Sequence, residues 1–313
     1  MRTPFRSNNG NNFSLGKLAG SGTLAGTGNW IIGENNSDFY LSTEVGITSD
    51  RTDDYGGTIS KSATKLIKRG TGKMAIATVG KINAALTVEE GTFSFNQSTL
   101  STQIVGANTT TVKQNGRIVG QGLFNVLILE NGAQLIPCGS FTSENVPGTI
   151  KTTAMLRVNE GATVKFLIGG SKQSQLQPSM LTMNGTVEVE LLSDYTPKLG
   201  DEFTLWTVAR TFTGTPKWHL PLLPDGLYWD VSQLAQATGK LIVTDDPSGI
   251  GSISAGTQVS CQLFSLNGMQ VAAFTSAKAE VAATARQQGV QKGTYVVKMN
   301  DGHRIETQKI IVK

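Results

Sequence analysis

The sequence has few of the residues that build long helices. Only 16% of its 313 residues are charged, and Glu, which such helices use often, is scarce. It contains 9 prolines but 36 glycines, which suits a chain with many turns. We therefore expect an all-β protein, long enough for a sizeable core and about two domains.

Cysteine and histidine are also scarce, which limits the chemistry of the chain. Cys138 and Cys261 lie far apart in the sequence, and we expect them to be unbridged. His219 and His303 have no Cys, Asp or Glu partner at metal-ligand spacing, and no Ser, His and Asp residues suggest a catalytic triad. We expect both histidines to be structural or solvent-exposed. The sequence accordingly predicts no catalytic, cofactor-binding or metal-binding residue.

Long apolar runs are missing as well. No stretch is long and apolar enough to span a bilayer, so we expect a chain that does not cross the membrane. The first 16 residues, MRTPFRSNNGNNFSLG, lack the apolar core of a signal peptide. If the protein is exported, we expect this chain to be the C-terminal part of a longer precursor that carries the signal.

The charge pattern gives no sign of a nucleic-acid partner. The formal net charge of +4 comes from 27 basic and 23 acidic residues, which are spread along the chain without a long block. The densest basic cluster comprises Lys65, Lys68, Arg69 and Lys73. We interpret these four as solvent-exposed residues of strands and turns.

Short runs of Ile, Val, Thr and Phe separated by glycines are abundant, above all in residues 55–96. One segment recurs: LTVEEGTF at residues 86–93 returns as LILENGAQ at 127–134, LRVNEGAT at 156–163 and, shortened, LTMNGT at 181–186. A strand, a polar pair, a glycine that can take positive φ and another strand form one corner of a coil. Repetition of the corner stacks the coils.

The spacing of the repeat glycines predicts coils of unequal length. By subtraction, the intervals are 25, 16, 29 and 24 residues between Gly91, Gly116, Gly132, Gly161 and Gly185. Most of these intervals fall near the period of solenoid repeats, about 20 to 29 residues. The irregularity predicts loops inserted at some corners, around residues 141–148 and 171–179.

Three segments together resemble the autotransporter-associated β-strand repeat: residues 55–59 (YGGTI), 66–76 (LIKRGTGKMAI) and 86–93 (LTVEEGTF). That repeat joins an aromatic-Gly pair, a Lys-x-Gly-x-Gly-x-Leu turn and strand, and a Val-x-x-Gly-x-Leu strand. Met74 stands in place of the usual leucine, and the spacer at residues 77–85 lacks the usual Tyr-Thr-Gly. The resemblance implies a right-handed parallel β-helix whose rungs bury inward-facing side chains against the rungs above and below.

Residues 200–244 differ from the repeats because they contain three of the four tryptophans, Trp206, Trp218 and Trp229. They resemble the segment that closes autotransporter-type helices, and bulky aromatic side chains suit the apolar end of a last rung. We therefore predict a β-helix over residues 1–244 with an aromatic cap at about 200–244, followed by a polar linker at 245–256. The fourth tryptophan, Trp30, is predicted to be buried in a rung.

Residues 257–313 alternate apolar and polar side chains around an Asn-Gly turn, which predicts a small antiparallel β-sandwich. This tail resembles the C-terminal sorting domain of type IX secretion in Bacteroidetes. The matching residues are Gly268, Gly293, Tyr295, Lys309, Ile310, Val312 and Lys313. The resemblance implies transfer across the outer membrane by the secretion machinery, often with removal of the domain. The expected location is the medium or the outer-membrane surface.

Two functions from different classes remain open. The neighbouring pairs Glu89-Glu90 and Asp201-Glu202 need not converge, because adjacent side chains of an extended chain point to opposite sides, but carboxylates from separate rungs could line up. The expected function is a non-enzymatic structural region, a stalk or adhesin-like module whose partner is a surface glycan or a host protein. The alternative is a lyase or glycoside hydrolase acting on polysaccharide in a groove. Clustered acidic and basic side chains on one face would favour the enzyme, and a bare Thr- and Asn-lined face would favour the stalk.

Overall fold

A computed structural model of the protein describes residues 5–7, 12–16, 23–26, 28–36, 38–41, 58–59, 65–76, 84–97, 100, 108–139, 144–170, 172–224, 226–245, 258–300 and 305–313. Most of these residues lie in strands, which form a 19-stranded, mainly parallel sheet, a three-stranded parallel sheet and a four-stranded antiparallel sheet. The prediction of a β protein is confirmed at this level. The chain divides into two compact units.

The first unit consists of residues 1–224 and 233–241. Its described residues form strands of two to 14 residues: β1 (Phe5–Ser7), β2 (Asn12–Leu15), β3 (Thr23–Gly26), β4 (Asn29–Ile32), β5 (Phe39–Leu41), β6 (Thr58–Ile59), β7 (Lys65–Lys68), β8 (Lys73–Ile76), β9 (Ala85–Val88), β10 (Gly91–Asn96), β11 (Thr109–Val112), β12 (Gly116–Leu129), β13 (Gln134–Pro137), β14 (Thr149–Val158), β15 (Thr163–Ile168), β16 (Gln175–Met183), β17 (Thr186–Leu191), β18 (Glu202–Thr207), β19 (Thr211–Thr213) and β20 (Lys217–His219).

Two interleaved series of parallel strands run through this unit. In the first series, β2, β4, β7, β9, β11, β12, β14, β16 and β19 pair in turn, each with the next. In the second series, β5, β8, β10, β12, β13, β15, β17 and β20 pair in the same way. The long strand β12 serves both, because residues 116–121 pair in the second series and residues 122–129 in the first.

The recurring sequence segments occupy equivalent positions in the first series. Leu127 pairs with Leu156, and Leu156 pairs with Leu181. Leu86 belongs to the same column, since Leu86 and Leu127 both pair with Thr110. The strand around Thr110 is one more member of the series, and the repeat pattern does not reveal it because threonine replaces leucine there.

The pairing register follows the predicted spacing of the glycines. Gly91 pairs directly with Gly116. Leu129 pairs with Val158 and Val158 with Met183, which are steps of 29 and 25 residues by subtraction. The corresponding glycine intervals are 29 and 24 residues. Consecutive strands of a series are therefore offset by unequal lengths of chain, as the spacing predicts.

Buried aromatic rings continue from one paired strand to the next in the core of the first unit. The ring centroids of Phe93 and Phe95 are 5.6 Å apart, and that of Phe124 lies 5.1 Å from Phe95. Trp30 is fully buried, as predicted. Burial of each such side chain contributes roughly 1.5–3 kcal/mol, so the rings hold neighbouring strands together.

One predicted loop insertion agrees with the structure and the other is largely wrong. Between β13 and β14, Cys138 and Pro147 form an antiparallel bridge at the base of an inserted segment. After β15, Ile168 bridges Gln173 and β16 begins at Gln175, so residues 175–179 are strand. The strand starts early because the ten-residue β14 offers pairing partners from Thr149 onward.

The second unit consists of residues 225–232 and 242–313. It contains β21 (Tyr228–Asp230), the end of β22 (Thr238–Thr244), β23 (Gln258–Ser265), β24 (Gln270–Ala277), a 3-10 helix (Lys278–Glu280), α1 (Val281–Gln287), β25 (Gly293–Asn300) and β26 (Ile305–Val312). β21 pairs antiparallel with β22. The last four strands form an antiparallel sheet in the order β24-β23-β25-β26.

A short helix covers one face of this antiparallel sheet. Val281 and Ala285 of α1 pack among inward side chains of the strands, namely Val259, Cys261, Leu263, Val297, Met299 and Val312. The expected sandwich requires a second sheet, and the described part of the tail contains the helix on one sheet instead. The segment KAEVAATARQ at residues 278–287 favours a helix through its alanines, which the alternation of the flanking strands does not convey.

Several predicted features lie outside the described residues. They are the aromatic-Gly pair Tyr55-Gly56, residues 77–83 of the spacer, His303 and residues 246–256 of the linker.

Candidate functional site

Charged side chains line the corner that follows the first series of strands. Arg69, Glu89 and Lys113 come directly after β7, β9 and β11. The Glu89 carboxylate lies 2.8 Å from Arg69 Nη2 and 3.2 Å from Lys113 Nζ. Partial burial raises the pKa of Glu89, but hydrogen bonds from both cations outweigh it and hold the pKa below its usual value. These side chains are partly exposed, so each ion pair contributes at most ~1 kcal/mol to stability. We call the row of Arg69, Glu89 and Lys113 the corner ladder and assign it a structural role.

Lys68 departs from the expected exposed basic cluster. Its side chain is 0% exposed, and it stands in a column of core residues between Ile32 and Val88. Burial lowers the pKa of Lys68 to about 8, although attraction to Glu90 and Asp38 opposes the shift. The prediction of a solvated lysine at this position is therefore wrong.

Backbone carbonyl groups replace water around the Lys68 ammonium. Nζ donates to the carbonyl oxygens of Arg69, Gly70 and Glu90, at 3.0, 2.6 and 3.1 Å. Glu90 lies one pairing step further along the first series, so the lysine joins two successive corners. A fixed set of acceptors is what allows an ammonium to remain buried.

The adjacent carboxylates do not form catalytic pairs. Glu89 belongs to the corner ladder, whereas its neighbour contributes a backbone carbonyl to Lys68. Asp201 accepts hydrogen bonds from the Tyr195 hydroxyl and the Lys198 amide, while Glu202 pairs with Lys240 at 2.9 Å. Glu89, Asp201 and Glu202 therefore have separate partners, and the Glu90 carboxylate attracts the Lys68 ammonium.

Two carboxylates of one strand lie beside a lysine and a histidine of neighbouring strands on the second series. Lys165 on β15 pairs with Glu188 on β17, which pairs with His219 on β20. Lys165 Nζ lies 3.7 Å from the Glu188 carboxylate and also contacts that of Glu190. The hydrogen bond to Glu190 and attraction to both carboxylates raise the pKa of Lys165, although partial burial lowers it.

A shallow depression adjoins these carboxylates. Its volume is about 330 Å³, and it is lined by Glu188, Val189, Glu190, Leu191, His219, Leu220 and Pro221. His219 is exposed, as predicted. The two glutamates are two residues apart, so both side chains point to the same face of the strand. In the sequence, the alternation of residues 186–191 (TVEVEL) indicates that both glutamates share a face. Only the strand register reveals that Lys165 and His219 lie beside Glu188.

In the described part of the chain, no three side chains from His, Cys, Asp and Glu are grouped to hold a metal ion. None of the helices among the described residues is long and apolar enough to cross a membrane.

The antiparallel sheet brings the predicted tail residues to one of its ends. Gly293 pairs with Val312, and Tyr295 pairs with both Ile310 and Ser265. Gly268 follows Ser265 in the turn between β23 and β24. Residues that are far apart in the sequence therefore meet where β23 ends, β25 begins and β26 ends.

Gly268, Tyr295, Ile310 and Val312 have identifiable structural tasks. Gly268 has φ +84° and open space around it, so the turn needs glycine for its backbone conformation. Val312 lies in the core, and Ile310 and Tyr295 pack against it. Lys309 and Lys313 alternate with these core residues and are exposed. The closing strand thus combines core anchors with a basic outer face.

Comparison with known protein families yields a match at the C-terminal end of the chain. Residues 247–313 match the family model of the secretion system C-terminal sorting domain. The chain ends in a type IX sorting domain. No curated protein matches the chain.

The sorting domain implies export to the cell surface or the medium, and interaction with the secretion machinery. Its one cysteine, Cys261, is a buried free thiol in the core of the sheet, and burial raises its pKa. Cys138 of the first unit is also buried, and these two cysteines form no disulfide, as expected.

Proposed function

We propose that this chain is a non-enzymatic structural region, adhesin-like in role, which the sorting domain delivers to the cell surface or the medium of a Bacteroidetes-like bacterium. In this proposal residues 1–244 form a right-handed parallel β-helix, 245–256 a linker and 257–313 the sorting domain. The observation that supports it best is the pair of parallel strand series in the first unit, which continue with one partner on each side. Stacked units of this kind gain stability with each neighbour.

The corner glycines support the assignment to autotransporter-associated repeats. Gly91 has φ +68°, and a Cβ there would lie 2.4 Å from the Gly70 carbonyl oxygen and 2.6 Å from that of Gly72. The Lys-x-Gly-x-Gly turn of the resemblance thus has a physical basis. Lys68 ties two corners together, and the glycines let those corners approach closely.

Stacked aromatic rings support the proposed cap. The Trp206 ring lies 5.9 Å from Phe212 and 6.5 Å from Trp218, with interplanar angles of 6° and 14°. Trp206 also lies 6.2 Å from Phe166. The fully buried Trp206 therefore links a repeat strand to residues of the segment 200–244, as a cap requires.

The outward face of the first series suits a binding partner that needs a regular surface. Thr182 and Thr213 are paired neighbours, and their hydroxyl oxygens are 3.1 Å apart. Thr111 stands in the same column, with Ile128 and Arg157 between it and Thr182. The hydroxyl pair of Thr182 and Thr213 can hydrogen-bond to a surface glycan or to a host protein, which are the partners we propose.

An enzyme acting on polysaccharide is a second candidate, because Glu188 and Glu190 border a depression. Its test is incubation of the purified chain with a panel of acidic and neutral polysaccharides. If the site is catalytic, Glu188→Gln/Glu190→Gln abolishes product formation while Glu160→Gln, an exposed glutamate outside the depression, does not. Absence of product formation by the unaltered chain would favour the structural role.

Export is tested by deleting residues 247–313 from the full-length protein in a bacterium with a type IX system. The intact protein should be accessible to protease on whole cells or recovered from the medium, and the deletion variant should remain in the periplasm. Equal export of both proteins would contradict the proposed route.

A further inference from the structure

The net charge of the chain is concentrated in its last part. Residues 1–257 contain 20 basic and 20 acidic residues, whereas residues 258–313 contain 7 basic and 3 acidic residues. The whole net charge of +4 therefore belongs to the sorting domain, although charged residues occur throughout the chain. Such a bias favours an acidic partner for this domain.

Exposed apolar side chains are concentrated in the same domain. Leu266 and Met269 in the β23–β24 turn are 69% and 64% exposed, Val271 is exposed at the start of β24, and Ile311 on β26 is 60% exposed. Together with four residues of the first unit, these are the exposed large apolar side chains among the described residues. The tail thus carries half of them in a small part of the chain.

The strand register brings these side chains to one end of the sheet. Ser265, next to Leu266, pairs with Tyr295, and Ile311 pairs with Thr294. The lysines at this end are Lys292, Lys309 and Lys313, and all three are exposed. An apolar patch with a basic rim is therefore built around the residues that the sorting-domain resemblance singles out.

We propose that this patch, formed by Leu266, Met269, Val271 and Ile311 with its rim of lysines, is the surface by which the sorting domain docks on the secretion machinery. The machinery would offer an apolar groove with an acidic border. The inference rests on the proposed export function. It assigns the docking to the β23–β24 turn as well as to the closing strand, because both meet at the same end of the sheet. Apolar contact supplies binding energy, and the charges supply orientation and speed.

The test compares two double variants of the full-length protein in a bacterium with a type IX system. Leu266→Ser/Met269→Ser removes the centre of the patch. Leu199→Ser/Leu222→Ser is the matched control, since both leucines are exposed in the first unit. We expect the tail variant to lose about tenfold in exported fraction and to accumulate in the periplasm, as loss of ~1.4 kcal/mol of docking energy predicts. The control should be exported normally, and equal export of the two variants would overturn the proposal.

Folding is controlled by thermal unfolding of the purified variants, which should match the unaltered protein because the replaced side chains are exposed. If the tail variant fails to fold, export of the double variant Lys292→Glu/Lys309→Glu is measured instead. Reduced export of this folded protein supports the proposal, and normal export refutes it. Deletion of residues 247–313 distinguishes failure of the proposed export function from failure of the proposed docking surface. Export without the tail would contradict the proposed function itself, whereas loss of export on deletion and normal export of every point variant would contradict only the docking surface.

Discussion

Replacement of Lys68 by methionine should remove a pH dependence from the stability of the protein. The Lys68 side chain is fully buried, and burial lowers its pKa to about 8. In the unfolded chain the same group has its ordinary pKa of about 10.4. Between these values the folded protein holds a neutral amine while the unfolded chain holds an ammonium. The unfolded state then binds more protons, so the free energy of unfolding rises with pH in this window.

The size of the effect follows from the two pKa values. Between pH 7 and pH 10 the lysine should add ~2.5 kcal/mol to the free energy of unfolding, at about 1.4 kcal/mol for each pH unit in which only the unfolded chain is protonated. Lys68→Met fills a similar volume and cannot titrate. It leaves the carbonyl oxygens of Arg69, Gly70 and Glu90 without this donor, but that cost is independent of pH.

The assay is urea denaturation of both proteins at several pH values from 7 to 10, with unfolding free energies compared at each pH. Subtraction of the variant from the unaltered protein cancels the titration of other lysines and tyrosines. We expect this difference to grow with pH in favour of the unaltered protein. A difference that stays constant within ~0.5 kcal/mol, or that shrinks as pH rises, would refute the assignment of Lys68 as a buried amine with a lowered pKa.

Three further predictions concern other parts of the fold. Gly91→Ala should destabilise the protein by roughly 3 kcal/mol or more in thermal unfolding, because Gly91 has positive φ and lies close to the Gly70 carbonyl. Gly200→Ala should cost only about 1 kcal/mol, since Gly200 has positive φ but open space around it. Equal effects of the two substitutions would contradict the close packing of the corners. Arg69→Ala should lower the free energy of unfolding by at most ~1 kcal/mol, and by less at high salt, since the ion pairs of Arg69 are partly exposed. A loss that does not depend on salt would contradict a stabilising role of these surface ion pairs. Cys261 should react with iodoacetamide only on unfolding, because the thiol is buried and its pKa is raised. Rapid alkylation of Cys261 in the native protein would contradict its burial in the core of the sorting domain.

Periodic features were predictable from the sequence because they repeat. The leucine columns and the glycine spacing follow from a pattern that recurs along the chain. The tail was predictable because its turn glycine and closing strand form a compact motif. In each case, several residues at fixed spacing point to the same local structure.

Single exceptions to a pattern were not predictable. A lysine in an apolar column cannot be distinguished from a solvated lysine until the carbonyl groups around Lys68 are known. The row of Lys165, Glu188 and His219 depends on strand register, which unequal coil lengths conceal. The helix α1 is short and lies between strongly alternating strands, so its alanines are the only local sign of it.

The stacked coils proposed for the first unit are tested by deletion of one complete repeat. Leu129 pairs with Val158, 29 residues later, and the amides of Glu130 and Asn159 each bond to the strand one step back. Removal of residues 130–158 joins two equivalent corners, so that β16 can pair with β12 in place of β14. We predict a folded protein with cooperative thermal unfolding at a lower midpoint.

The matched control removes residues 130–144, about half of that repeat, and leaves β14 out of register. We predict that it does not fold, as judged by loss of a cooperative transition and by proteolysis. If the complete-repeat deletion is as disordered as the half-repeat deletion, or if both fold equally well, the first unit is not built from stacked coils and the proposed β-helix is wrong.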